Sequence, residues 1–318
     1  MAIGARCALM TERAAMKTTS DVLQGKDLSG RTFLVTGATT GLGFETARAL
    51  LAAGATVSIT ARNAEKGADA VARLQAEVND ADIEICVVEL SSLSSVRAFT
   101  DEFLATHDRL DVLIANAGVM AVPYGLTEDG FELQFGTNHL GHFVLVGRLL
   151  PLLLSSDAPR IVMLTSAGHG ASDIIWDDPN FSSTEYSKLT AYGQSKTANM
   201  LHAVELEKRY GDRGLHAWSV HPGMVSTDLG RHFTKDDYAE LIARAKYAGG
   251  ELPPRVGVDV GASTQVWAAV SDEVLAYAGG YLADCAPGSP ARYAVDEDAA
   301  RRLWELSEQM VGEKFPVL

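Results

Sequence analysis

Short apolar runs and amphipathic runs take turns along almost the whole chain. "RTFLVT", residues 31–36, holds a short apolar run and leads into Gly37, the pattern of a buried strand. "GFETARALLAAG" then spaces its apolar positions for a helix and stops at Gly54. "ATVSITA" reads as a second strand, "AEKGADAVARLQAEV" as a helix and "IEICVVEL" as a third strand. "SSVRAFTDEFLATH" is a helix opened by serines suited to capping, and "LDVLIAN" a fourth strand. Residues 128–153 read as a long helix, "PRIVMLTS" as a fifth strand, residues 187–210 as another long helix, "LHAWSVH" as a sixth strand and "GGYLADC" as a seventh. "DEDAARRLWELSEQMVG" closes the pattern as an amphipathic helix, able to pack near a pocket or across a subunit interface.

Strands joined by helices through short connections must run parallel, with helices on both faces of the sheet. The alternation runs nearly end to end, which predicts one domain over residues 26–318 behind a flexible leader at 1–25, within which Met10 or Met16 is a candidate start. Residues 167–189 and 226–254, the latter ending in "GGELPP", break the rhythm, and such insertions often serve as lids or binding loops.

Charge narrows the function. Lys plus Arg number 27 against 41 Asp plus Glu, a net −14 that argues against a nucleic-acid partner. Three cysteines (Cys7, Cys86, Cys285) with no CxxC pair fit a reducing compartment, and the cytoplasm is the expected location. No apolar stretch reaches the roughly 18 residues of a membrane span. The opening "MAIGARCALMTERAAMKTTS" lacks the apolar core of a secretory signal.

The candidate chemistry sits at the strand ends. "TGATTGLG" places Gly37, Thr39, Thr40, Gly41, Leu42 and Gly43 between a strand and a helix, where glycines admit a close ligand and free helix N–H groups favour a pyrophosphate. The second strand ends in Ala61 and Arg62, without the acid that holds an NAD ribose and with a cation suited to a 2′-phosphate. NADP(H) is therefore expected over NAD(H), which stays possible. "TAYGQSK" sets Tyr192 and Lys196 one helical turn apart, and a nearby cation lowers a phenol's pKa. His139 and His142 have no further ligand at zinc spacing, so no metal is expected.

Taken in order, "TGATTGLG", "ANAG", "TNHLGHF", "LTS", "YGQSK" and "HPGMVST" resemble the short-chain dehydrogenase/reductase family over roughly residues 25–285. "GFELQFGTNHLGHF" and "AYGQSKTANM" are most similar to its retinol-dehydrogenase-like and protochlorophyllide-reductase-like members. The resemblance implies a Rossmann-type doubly wound α/β fold with a parallel sheet of about seven strands. It implies a catalytic tetrad of Asn138, Ser166, Tyr192 and Lys196. Tyr192 would exchange a proton with the substrate oxygen, Ser166 would hydrogen-bond that oxygen, and Asn138 would hold a water relaying protons to Lys196. Cofactor contacts would come from the glycine loop, Arg62, Glu89, Leu90, Asn116, Ala117, Gly118, Tyr192, Lys196, Pro222, Gly223, Val225 and Thr227. Glu89 stands where the family usually has Asp, and Ala115 where it usually has Asn. Ser166 and Tyr192 are 26 positions apart, longer than in many members, and Trp176 and Phe181 of the insert either line a pocket or cover the sheet end.

The expected activity is interconversion of an alcohol and a carbonyl on a small hydrophobic substrate of steroid, retinoid or aromatic type. The enzyme is expected as a homodimer or homotetramer. A lyase or epimerase, and a non-catalytic NADP-binding sensor, are alternatives on the same scaffold.

Overall fold

The computed structural model describes residues 16–247 and 252–315. It has eleven α-helices and eight strands among those residues. In chain order they are α1 (Thr19–Leu23), β1 (Thr32–Val35), α2 (Gly41–Ala52), β2 (Thr56–Ala61), α3 (Ala64–Glu77), β3 (Ile83–Val87), α4 (Leu93–Thr106) and β4 (Val112–Ala115). The second half adds α5 (Leu133–Phe135), α6 (Gly141–Leu153), β5 (Arg160–Leu164), α7 (Lys188–Tyr210), β6 (His216–His221), α8 (Lys235–Tyr247), α9 (Val258–Gly261), α10 (Ser263–Val270), β7 (Tyr281–Ala283), β8 (Ala286–Pro287) and α11 (Glu297–Val311).

The sheet order is β3-β2-β1-β4-β5-β6-β7-β8, parallel except for the β7–β8 pair. The seven expected strands are all present, and β8 is a two-residue antiparallel addition. The order reverses between β1 and β4, so the glycine loop after β1 opens at the crevice where doubly wound sheets bind ligands. The central strands β4 and β5 are buried at every position, which is why they read as unbroken apolar runs. One apolar core fills the side of the sheet under α4, α6 and α7; another fills the side under α2, α3 and α10.

Three elements depart from expectation. Order begins inside the leader: Thr18 and Asp21 form a reciprocal capping box on α1, Val22 is buried, and Thr19 Oγ1 donates to Glu45 at 2.5 Å. The rest of the leader, residues 1–15, lies outside the described residues. The helix expected over 128–153 starts at Leu133 and contains a π-helical turn, Gly136–Leu140, between α5 and α6. The insertion at 226–254 carries a helix of its own, α8, while residues 248–251 lie outside the described residues.

The C-terminal helix packs inside the molecule. Trp304 of α11 meets Phe143 of α6 edge-on at 5.0 Å and lies under the Arg209 guanidinium at 4.3 Å. Beyond it, Phe315 packs against Phe143 at 5.4 Å, and Glu313 pairs with Arg97 at 3.0 Å and Arg148 at 2.5 Å. His139 and His202 are buried in this cluster, 5.7 Å apart, and burial pushes both well below the ordinary imidazole value. They are neutral in the fold, whereas the unfolded chain protonates them below its imidazole pKa. Their contribution is thus complete at neutral pH and is lost as pH falls below about 6.5 toward the folded values. In urea titrations between pH 6 and 4, His202→Met should lessen the acid-side loss of stability by about 1.4 kcal/mol per pH unit. An unchanged slope would contradict the buried neutral imidazole.

Candidate active site

The phosphate end is built from tight backbone. Thr40 stands at the N-cap of α2 without a side-chain bond to the helix, so the first N–H groups are left to an anionic ligand. Gly37 and Gly41 have φ of +65° and +60°, where other residues are strained. A Cβ on Gly43 would lie 2.6 Å from both Asn116 Nδ2 and Gly37 O. Asn116 Nδ2 donates to Thr36 O at 2.8 Å, and Thr60 Oγ1 accepts from Gly37 N at 3.1 Å. Asn116 therefore props the loop from beneath, while its Oδ1 is buried with no partner. A cradle that a single methyl would fill, beside an uncapped helix end, fits a dinucleotide pyrophosphate.

Arg62 is exposed at the end of β2 and makes no ion pair among the described residues. A second cation, Arg73 of α3, lies 3.5 Å from Thr39 O and 4.3 Å over the Phe44 ring. It is 34 residues from the loop, so the sequence carried no local sign of it. Glu89 Oε1 accepts from Ser91 N at 3.1 Å and Ser91 Oγ at 2.9 Å, closing the turn before α4. Leu90 is buried directly beneath Gly141, where α6 crosses it with no room for a side chain.

The chemical end gathers at the C-terminal ends of β4, β5 and β6. Asn138 lies in the π turn and is fully buried. Its Oδ1 accepts from Val119 N at 2.8 Å, and its Nδ2 donates to Val119 O and Ser195 Oγ, both at 2.9 Å. The amide thus clamps the strand-four loop, and Gly118 lets that loop pass 3.0 Å from Asn138 Oδ1, measured from its would-be Cβ. Ala117 N donates to Thr36 Oγ1 at 2.9 Å. His142 joins the two halves, with Nδ1 on Asn138 O and Nε2 on Thr36 Oγ1, each at 2.9 Å. From sequence this histidine is expected in a structural or surface role, and no local signal names Thr36 or Asn138 as its partners. Among the described residues no His, Cys, Asp or Glu group of three could hold a metal.

Tyr192 is buried beside Ser166, whose hydroxyl is placed to favour the phenolate. Burial pushes the phenol up to about 12, and Ser166 offsets only part of this. No lowering by Lys196 counters it, contrary to expectation. Lys196 Nζ stands 5.6 Å from the Tyr192 ring centroid and donates to Leu164 O at 3.0 Å, while burial brings it down to about 8. Thr165 Oγ1 donates to Lys196 O at 2.9 Å, which leaves Ser166 as the strand-end hydroxyl beside Tyr192.

After β6, Gly223 turns with φ +80°. Val225 pairs with Val256, and Thr227 approaches to 3.2 Å of the Cβ position on Gly41, so Pro222–Thr227 closes against the glycine loop. In the insert at 167–189, Trp176 lies under the Arg302 guanidinium at 4.2 Å and packs toward α11. Phe181 is buried against Tyr186, whose Oη donates to Val122 O at 3.1 Å. Both aromatics cover the structure. Half-buried Val119, Met120, Met224, Leu229 and Phe233 supply apolar surface on the loops flanking the strand ends.

A family model described as short chain dehydrogenase matches residues 31–238. Retinol dehydrogenase 14 from Mus musculus is 40% identical over 300 residues, 90% of this chain and 87% of that relative. The crystal structure of an uncharacterised protein from Mycobacterium paratuberculosis superposes with a TM-score of 0.75 at 36% identity, covering 94% of this chain and 98% of that one. The Pseudomonas aeruginosa RhlG/NADP active-site complex superposes with a TM-score of 0.62 at 27% identity, over 81% and 95%.

Gly43→Ala tests the cradle. Its methyl has no free volume and presses on backbone, so binding of NADPH, followed by nicotinamide fluorescence, should weaken about tenfold or more. Unchanged affinity in a folded variant would place the dinucleotide elsewhere.

Proposed function

This chain belongs to the short-chain dehydrogenase family, and from that premise we propose that it is an NADP(H)-dependent oxidoreductase interconverting an alcohol and a carbonyl on a hydrophobic substrate. The observation that carries the reading is the buried Tyr192, beside Ser166 and one helical turn from a buried Lys196, next to an uncapped glycine loop.

The glycine loop would hold the pyrophosphate of a dinucleotide, whose nicotinamide would supply or take the hydride beside Tyr192. In reduction, Tyr192 Oη donates a proton to the carbonyl oxygen, and a phenol raised to about 12 is fully protonated at neutral pH for that task. In oxidation the same oxygen accepts the alcohol proton. Ser166 Oγ accepts from Gly168 N at 3.0 Å, which leaves its hydrogen to follow charge developing on the substrate oxygen. Lys196, at about 8, is mostly cationic at neutral pH and favours the ionised phenol when the proton leaves. Asn138 holds Val119 and the neighbouring Gly118 in place at the edge of this centre.

Arg62 and Arg73, with no acid at the end of β2, support NADP(H), as does the likeness to an NADP complex. The apolar flanking loops and the likeness to a retinol dehydrogenase support a lipophilic substrate. The residues near 167–189 and 226–254 serve as its loops within a single catalytic domain, with α8 tied down by Lys188 to Asp237 at 2.8 Å. A homodimer or homotetramer would form on a face other than that of α6 and α7, which α11 already covers. No helix among the described residues is long and apolar enough to cross a membrane. The sparse, unpaired cysteines support the cytoplasm as the compartment.

With NADPH and all-trans-retinal, Tyr192→Phe should lower kcat by about 10²–10⁴-fold, read at the nicotinamide absorbance. Retained turnover would refute the proton role. Arg62→Asp should raise KM for NADPH about tenfold while leaving KM for NADH little changed, and equal effects on both would refute the 2′-phosphate contact.

A further inference from the structure

Two imidazoles hold the one peptide that follows Ser166, His169 at its carbonyl and His221 at its N–H. His169, in the turn after β5, has Nδ1 2.7 Å from Ser166 O. A carbonyl only accepts, so Nδ1 carries the proton and Nε2 is an acceptor. Ala291 N donates to that Nε2 at 3.1 Å, and Tyr293 Oη donates to His169 O at 2.8 Å. On the other side, Ala167 N donates to His221 Nδ1 at 3.2 Å, which requires the opposite tautomer. Tyr281 of β7 fills the space between them, edge-on to His169 at 5.2 Å and parallel to His221 at 6.5 Å. Burial lowers both imidazoles, His221 to about 4, so each keeps its single tautomer at neutral pH.

We propose that His169 is a positioning residue that fixes the peptide of Ser166 against the C-terminal segment around Ala291 and Tyr293, with His221 as the opposing hold. Ser166 has only one rotatable bond between its backbone and its hydroxyl, so the placement of Oγ follows the placement of its peptide. The bracket therefore sets where the Ser166 hydroxyl meets Tyr192 and a substrate oxygen. Small displacements of such a group are costly to rate. The C-terminal segment, distant in sequence, becomes part of the site through one imidazole. The inference rests on the role given to Ser166 under the proposed function.

Two measurements separate it from that reading. In long-range ¹H–¹⁵N spectra of histidine-labelled chain, with no substrate or cofactor added, His169 should be the Nδ1–H tautomer and His221 the Nε2–H tautomer. Ala291→Pro, at a φ of −62° that proline adopts, removes only the donor to His169 Nε2 and should shift that nitrogen alone. The opposite tautomer at His169, or no shift, overturns the bracket whatever the enzyme reduces. In NADPH-dependent reduction of all-trans-retinal, His169→Asn places its amide nitrogen where Nδ1 stood and should keep kcat within about threefold. His169→Gln places it where Nε2 stood and should lose about tenfold or more in kcat with KM for NADPH unchanged. Equal loss in both variants, or loss in neither, overturns the positioning role. Absence of turnover by the unaltered chain overturns the proposed function, and the tautomers then decide the bracket.

Discussion

The buried hydroxyl of Thr36 is the joint on which both ends of the site depend. It accepts from Ala117 N and meets His142 Nε2, whose other nitrogen meets Asn138 O. Direction along this chain is forced from one end. Asn138 O can only accept, so His142 Nδ1 carries the proton, Nε2 accepts, and the Thr36 hydrogen is spent on it. The Thr36 lone pair is then free for Ala117 N–H. Burial holds His142 down to about 4, so this arrangement does not invert at neutral pH. The glycine loop, the loop after β4 and the π turn that carries Asn138 are thereby referred to one oxygen atom.

The same dryness that makes this network rigid sets the acid–base properties. Tyr192 and Lys196 are pushed in opposite directions by burial, the phenol up and the ammonium down, because each loses hydration of its charged form. Their helical spacing places them on one face, but the ammonium sits over the ring and bonds Leu164 O. A cation so placed lies near the ring without lowering the phenol. Ser166 is the side chain that counters the rise of the phenol, so its placement matters at the chemical end.

Strands β1 to β7 and the larger helices were legible because a parallel sheet covered on both faces has no polar alternation to hide its strands. The candidate residues were picked out by motifs in order along the chain: the glycine loop and Ser166 follow strands, Asn138 lies in the π turn, and Tyr192 and Lys196 lie within α7. What was not legible is non-local. The leader concealed α1, because its helix depends on Glu45 and on burial of Val22 rather than on a run of apolar residues. The π turn was invisible because inserting one extra residue per turn leaves a helical pattern almost unchanged. The insertion at 226–254 looked irregular because α8 is largely exposed and has only two large aliphatic residues, Leu241 and Ile242. Arg73, His142 and His169 act across 34, 106 and 122 positions, on Thr39, Thr36 and Ala291 respectively, and no linear window spans those pairs.

Long-range roles of this kind explain why the C-terminal part of the chain is so closely fitted. The helix α11 fills the outer side of α6 and α7, bringing Trp304 and Phe315 against Phe143, while Glu313 binds Arg97 and Arg148. The segment just before it is consequently held at a fixed height over the end of β5, where Ala291 and Tyr293 meet His169. Packing on one side of the sheet and the position of a hydroxyl at its end are therefore one mechanical problem. If His169 brackets Ser166 as proposed, a core substitution in α11 would reach Ser166 through this segment, although no atom of α11 lies in the site.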